Sequence, residues 1–454
     1  MPRFVLCFVL WLLTAAVAGG APAEGPVPAD RPKSDSLAAS SSVSDLLNVA
    51  RDLASPQFRR RQRAFEQLLA AGEPALPALA ETVRADNREA RSRALSILVA
   101  LAASRNEKLA RAAQQTLDNL ASGGNRTIAR ELAGALASAR LARAQRALDA
   151  IRQGGGTVTS DSGDEPAADG PLSVKIGADW QRGSAGLSVL ADLPTIAWLS
   201  LEGAPIDDAA LAYVGQIANL EKLYLKGSRV RGPGLAHLAP LSKLTHLSLR
   251  ELPLGDAALA ALPNLPQLSN LGLDNTQITD AGLAELKRFP ELDTLWLDET
   301  KVTDAGLAEL TSLHQLRTLF LIGTKTGGPG LASLKEIPPL RFLSLKSVEL
   351  SPAAMQHIAQ LAQVETLGLD HTNVTDEQLA PLTRLTRLKT LWLSKTPVTD
   401  AGIEHLKQIK SLQMVYFHGS QVTAAGRQAL REALPDCTVE PRDDPPEGTR
   451  RRRN

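Results

Sequence analysis

The sequence predicts an α/β solenoid built from 24-residue repeats, with parallel strands on a concave face and helices on a convex one, preceded by a small all-α domain. Three observations carry this reading. Ile196, Leu220, Leu244, Leu268, Leu292, Leu316, Leu340, Val364, Leu388 and Leu412 each fall 24 residues after the last, without slippage. Two more apolar columns follow, from Leu199 to Val415 and from Leu201 to Phe417, so the pattern LxxLxL recurs ten times. A unit this short cannot bury its own apolar face, and stacked neighbours must supply the core. Between about Val43 and Ile151, by contrast, apolar residues recur at helical spacing.

The columns, and above all the units LGLDNTQITDAGLAEL, LWLDETKVTDAGLAEL and LWLSKTPVTDAGIEHL, resemble the leucine-rich repeat family in its bacterial TDAGL-type branch. The resemblance covers a little over half the chain. It implies a solenoid that works as a binding scaffold and not as an enzyme.

Taken in order, residues 1–18 combine Arg3, an apolar run from Phe4 to about Val17 and the small residues Ala16 and Ala18, the pattern of a cleaved secretory signal. The run is too short for a comfortable membrane-spanning helix. An exported chain that keeps no stable membrane insertion after cleavage is expected, in the medium, periplasm or cell envelope. An uncleaved anchor is the alternative. Cys7 lies inside that run, which leaves Cys437 alone and no intramolecular disulfide. Residues 19–42 are Pro, Ala, Ser and Gly with little that is large and apolar, a disordered tether. Asn125 and Asn373 begin glycosylation sequons.

Residues 43–152 form the helical domain, its helices separated by Ser55-Pro56, Gly72, Asp86-Asn87, Arg105-Asn106 and Gly123-Gly124. The units SPQFRRRQRAFEQLLAAGEPALPALAETV and DNREARSRALSILVALAASRNEKLARAAQQTLDNLA resemble HEAT-type helical hairpins. Arg59, Arg60, Arg61 and Arg63, with Arg88, Arg91 and Arg93, suit either an acidic partner or a solvated helix face. Residues 153–171, rich in Gly, Ser, Asp and Pro, read as a flexible linker. The repeat domain then spans 172–440, opening with a cap in which Trp180 covers the end of the core. Residues 441–454 read as a disordered basic tail in which Arg450–Arg453 are solvated.

Within a repeat, alternate strand residues point to opposite sides, so the Leu columns enter the core. Three residues past the last Leu stands Ser228, Thr276, Thr300, Thr324, Thr372, Thr396 or Ser420, expected to satisfy the corner's backbone and to stack as a hydroxyl ladder. Leu252 and Val348 interrupt it, so those two repeats are expected to turn differently. The Thr-Asp pairs at 279, 303, 375 and 399 open the convex helices as caps, Asp included.

No catalytic motif is present. The seven His are scattered, and neither metal-ligand spacing nor a phosphate loop occurs. No cofactor and no metal are expected. A net charge of +1 gives no reason to expect nucleic acid. The outward positions between the Leu columns are more informative. They hold seven of the sixteen aromatics, Trp198, Tyr224, Trp296, Phe320, Phe342, Trp392 and Tyr416, together with the carboxylates Asp274, Asp298 and Asp370. In an aromatic-poor chain this concentration marks a recognition surface for another protein. A glycan stacking on Trp296, Phe320 and Trp392 is the alternative.

Overall fold

The computed structural model describes residues 43–104, 106–122, 126–160 and 170–441. The expected signal peptide and tether, the Asn125 sequon and the tail from residue 442 on lie outside the described residues.

The chain divides into two compact units, Met1–Ala135 and Leu136–Asn454. In the first, helices α1 (Val43–Arg51), α2 (Phe58–Ala71), α3 (Leu76–Arg84), α4 (Arg88–Ala102) and α5 (Glu107–Ala121) pack around Leu53, Leu68, Leu79, Ile97, Leu98 and Leu117. Asn87 caps α4 by accepting from Ala90 N at 3.0 Å, and Asn106 caps α5 by accepting from Leu109 N at 3.2 Å. Several of the arginines hold backbone. Arg91 is buried, donating to Val83 O and Ala85 O at the end of α3, both at 3.0 Å, and Arg93 donates to Leu53 O at 2.7 Å. Arg59, Arg60, Arg63 and Arg88 remain exposed.

Helix α6 (Arg126–Gln153) straddles the division, which therefore falls inside a helix and not at the 153–171 stretch. Its last turns carry Ala144, Ala147, Leu148 and Ile151 into the solenoid's core, so the cap begins well before residue 172. Part of the expected linker is also strand. β1 (Thr157–Ser160) pairs antiparallel with β2 (Leu172–Lys175), because Val158 has an apolar partner in Val174. Trp180 is buried, its indole donating to Gly183 O at 2.9 Å, and any side chain at Gly154 or Gly186 would strike its ring.

From β2 onward every pairing is parallel and between sequence neighbours, which gives one 13-stranded sheet in chain order. The repeat strands are β3 (Ile196–Ser200), β4 (Lys222–Tyr224), β5 (His246–Ser248), β6 (Asn270–Gly272), β7 (Thr294–Trp296), β8 (Thr318–Phe320), β9 (Phe342–Ser344), β10 (Thr366–Gly368), β11 (Thr390–Trp392) and β12 (Met414–Tyr416). The sheet closes on β13 (Thr438–Glu440). The register advances by 24 residues per strand, Leu295 lying between Leu271 and Leu319. All three Leu columns are buried.

Two features of the turn differ from expectation. The corner hydroxyls form no ladder. Thr276, Thr300, Thr324, Thr372 and Thr396 each donate to the carbonyl three residues back in their own repeat, at 2.6–2.7 Å. Nor do the repeats with Leu252 and Val348 bend another way. The residues before them, Glu251 and Ser347, take the same left-handed φ, 56° and 60°, as Asn275, Glu299, His371 and Lys395, or as Gly203, Gly227, Gly323 and Gly419 elsewhere. That left-handed column, with an N–H that continues the inter-repeat ladder, makes the corner.

On the convex side the Thr of TDAGL is the cap, and Asp ties one repeat to the next. Thr303 Oγ accepts from Ala305 N at 3.3 Å, while Asp280 of the preceding repeat accepts from Thr303 N at 2.7 Å and from Thr303 Oγ at 2.6 Å. Asp256, Asp376 and Asp400 do the same for Thr279, Thr399 and Thr423. A Cβ at Gly282, Gly306, Gly402 or Gly426 would meet that same carboxylate. The D of one repeat thus requires the G of the following one.

Candidate binding face

Alternation on 3-residue strands leaves the outward side chains on the concave face, with neighbours in register about 4.8 Å apart. At that spacing bulky rings on adjacent strands must touch. Trp296 and Phe320 are parallel, 9° between planes with centroids 5.7 Å apart. Nearly parallel planes at this centroid distance make an offset stack. Phe320 then meets Phe342 at 4.8 Å, Phe342 meets Trp392 edge-on at 5.6 Å, and Trp392 meets Tyr416 at 6.2 Å. Tyr416 continues to His418 at 6.5 Å and lies with its hydroxyl 2.6 Å from Met414 Sδ.

The contact between Phe342 and Trp392 skips a strand. It exists because β10 has Gly368 in the centre column, where a Cβ would sit 3.0 Å from the Trp392 ring. Sequence reading found the aromatics but not this gap, which joins Trp296, Phe320, Phe342, Trp392 and Tyr416 into one ribbon across six strands. The signal was present in the aromatic column's own break at Gly368. Each of these rings is half-buried, the first pair stacked and the contacts at Trp392 edge-to-face.

Trp198 and Tyr224 form a separate pair, centroids 5.6 Å apart and planes at 50°, beside a shallow groove lined by Ser173, Ala197, Glu221 and Lys222. Nearby His246 is held below the usual imidazole range by burial and then by Lys222.

The three carboxylates share one column but not one role. Asp298 accepts from Ile322 N and Asp370 from Ser394 N, each at 2.8 Å, so both tie down the strand end of the next repeat. Asp274 is buried and turns back to Arg250, whose Nε lies 2.8 Å from Oδ2 as an ion pair without an aligned hydrogen bond. Two carboxyls beside a single arginine leave negative charge uncompensated. Burial, opposed by the Ile322 amide and reinforced by Asp274, pushes Asp298 up to about 7.

Burial raises the Cys437 thiol to about 11, far from a nucleophile's range. Among the described residues no three His, Cys, Asp or Glu are placed to hold a metal ion, and no helix is long and apolar enough to cross a membrane.

No family model and no curated protein matches the chain. Solved structures do show a likeness. An internalin of Listeria monocytogenes is 19% identical over 56% of this chain and 69% of its own, with a TM-score of 0.43. A leucine-rich repeat protein of Leptospira interrogans is 18% identical over 56% and 80%, TM-score 0.33. A chain of the mouse RP105/MD-1 complex is 19% identical over 57% and 44%, TM-score 0.45. The fold of the repeat half rests on its own register, one sheet of strands in chain order advancing 24 residues at a time, which is that of a repeat solenoid.

Proposed function

We propose that this chain is an exported, non-enzymatic scaffold that captures another protein on the concave face of its solenoid. The observation that carries the reading is the continuous ribbon from Trp296 to Tyr416, an apolar centre with a polar rim of Asp298, Lys346, Asp370 and His418. Such an arrangement suits a protein hot spot. The ring geometry weighs against the glycan alternative. A sugar platform needs an open ring face, whereas each of these rings is half-buried and packed against a neighbouring ring.

The coupling of Asp to the next repeat's Gly supports placing the repeats in the TDAGL-type branch, and the paired amphipathic helices of residues 43–121 support a HEAT-like reading of the first unit. Export rests on the residue pattern of positions 1–18.

The test is a photo-crosslinking amino acid at Phe320, with a second at the convex residue Glu309 as control, in cells that express the chain. A defined protein adduct from position 320 alone, lost in Trp296→Ala at unchanged melting temperature, is the expected outcome. Adducts from both positions, or none, overturn the concave reading. Binding of oligosaccharides that Trp296→Ala abolishes would establish the glycan alternative instead.

A further inference from the structure

The outward residue at each strand end belongs to one column, and the parallel register sets every member beside its counterparts about 4.8 Å away. From β5 to β10 the column reads Arg250, Asp274, Asp298, Ile322, Lys346 and Asp370. Asp274 therefore has Arg250 on an adjacent strand, and Asp370 has Lys346. Asp298 stands between a second carboxylate and an isoleucine. Of these three carboxylates it alone has no cation on a neighbouring strand.

Asp274 is 4% exposed, and neither of its carboxylate oxygens accepts a hydrogen bond from a described residue. Oδ2 has the Arg250 ion pair, while the carboxyl faces that of Asp298 closely enough for the two to share a proton. Asp298 is half-buried. Its Oδ1 is held by Ile322 N at 2.8 Å, and its Oδ2 accepts from no described residue. Glu299, on the left-handed corner next in sequence, is exposed, and a Cβ at Gly323 would strike its carboxylate. The other charges of this edge are Glu251, already paired with Lys226, and Lys346, two strands from Asp298. Two facing carboxylates withdrawn from water require positive charge, from a proton or from a cation. Arg250 shows inside the chain how a cation is seated here. Its stem crosses Gly272, the strand neighbour of Trp296, with Cγ 3.1 Å from the place of a Cβ, and its head meets Asp274. Trp296, two residues before Asp298 on the same side of β7, offers a similar apolar wall to a second stem.

We propose that the corner formed by Asp274, Asp298 and Glu299 receives a lysine or arginine side chain of the captured protein, its head on the Asp298 carboxylate and its methylene stem along Trp296. The inference rests on the concave-face scaffold proposed above and adds the chemistry of the partner, a basic residue beside apolar ones that cover the ribbon. Two carboxylates without further ligands suit one ammonium or guanidinium, whereas calcium takes about six to eight oxygens. Proton and cation compete for Asp298. Burial raises that carboxyl to about 7, so an arriving cation releases a proton to solvent, and affinity should fall about tenfold from pH 8 to pH 6.

The test pans a random peptide library displayed on phage against the full chain at pH 8, and in parallel against Asp298→Asn and Asp370→Asn. In the first variant the amide oxygen still accepts from Ile322 N. The second makes the same change in net charge at a carboxylate that likewise holds a backbone amide, Ser394 N, but has Lys346 beside it. Pools from the wild type and from Asp370→Asn should carry several-fold more lysine and arginine than the pool from Asp298→Asn. Basic clones should bind the wild type about tenfold more weakly at pH 6 than at pH 8. That comparison needs no substitution, so a misfolded variant cannot produce it. Equal basic content in all three pools, or basic clones indifferent to pH, overturns the proposal. So does a melting temperature that calcium chloride raises in the wild type and not in Asp298→Asn, which would assign the corner to a divalent cation. A protein adduct from Phe320 together with equal pools would sink this inference alone and leave the scaffold reading standing.

Discussion

The steric dependence of one repeat's Gly on the Asp of the repeat before it is open to a decisive mutational cycle. Asp280→Ala removes two hydrogen bonds to Thr303, at 2.7 and 2.6 Å, and both end on a charged acceptor. Bonds to charged groups contribute about 1.5–3 kcal/mol each, and water reaches this half-exposed site to replace part of that, so a loss of about 2–4 kcal/mol is expected. Gly306→Ala should gain about 1 kcal/mol from helix propensity. In the wild-type background, however, the new methyl runs into the Asp280 carboxylate, an overpacking cost of about 1–3 kcal/mol. With Asp280 already Ala, the tip of Leu283 stands next, at 3.0 Å, and it can rotate away. The second substitution should then become neutral or stabilising. The two changes should be coupled by about 1–3 kcal/mol, against about 0.5 kcal/mol for independent sites. Guanidinium midpoints at constant slope measure the cycle. Exchange of the Thr303 amide, which loses its acceptor, reports whether the repeat opens locally, as stacked repeats allow. Additive effects would refute the reasoning and leave Gly306 as an incidental small residue.

Leu295→Ala should cost about 2–5 kcal/mol in the same denaturation assay, since it empties a column filled by Leu271 and Leu319. Thr300→Val should cost only about 0.5–1.5 kcal/mol, because Leu297 O keeps a bond from Thr300 N at 3.3 Å when the hydroxyl is lost. At Gly323, φ is +65°, and Gly323→Ala should lower stability by about 1–2 kcal/mol through backbone strain. Asp298, raised to about 7 from an unfolded value near 4, binds a proton in the folded chain that the unfolded chain has released. Its contribution is therefore fully present below about pH 4 and is lost as pH rises to about 7. Melting temperature should fall across that window, and Asp298→Asn should flatten the slope. A slope unchanged by Asp298→Asn would place the proton elsewhere.

Much of the architecture was legible because a 24-residue period is a one-dimensional signal. Each Leu meets its counterpart one repeat away, so spacing alone names the neighbours in the core and the order of the strands. The outward positions were equally readable, since alternation on a strand of known register leaves no choice of side. The aromatic members of the candidate binding face were named on that basis.

What escaped were relations set by direction and fit. Thr279 and Asp280 look alike as helix caps in sequence, yet their side chains diverge, Thr to its own helix and Asp to the next repeat. The left-handed corner stayed hidden because Glu, Asn, Ser, His and Lys occupy six of its positions where Gly would have announced it. Residues 153–160 carry the composition of a linker, and only the apolar partner at Val174 and the packing of Trp180 on Gly154 make them part of the cap. The sequence by itself determined the period, the core columns and which side chains face outward. The tertiary structure decided that Phe342 reaches Trp392 over Gly368, and that Asp298 shares one arginine with Asp274. Both depend on the separation of side chains on stacked strands, which no spacing in the sequence specifies.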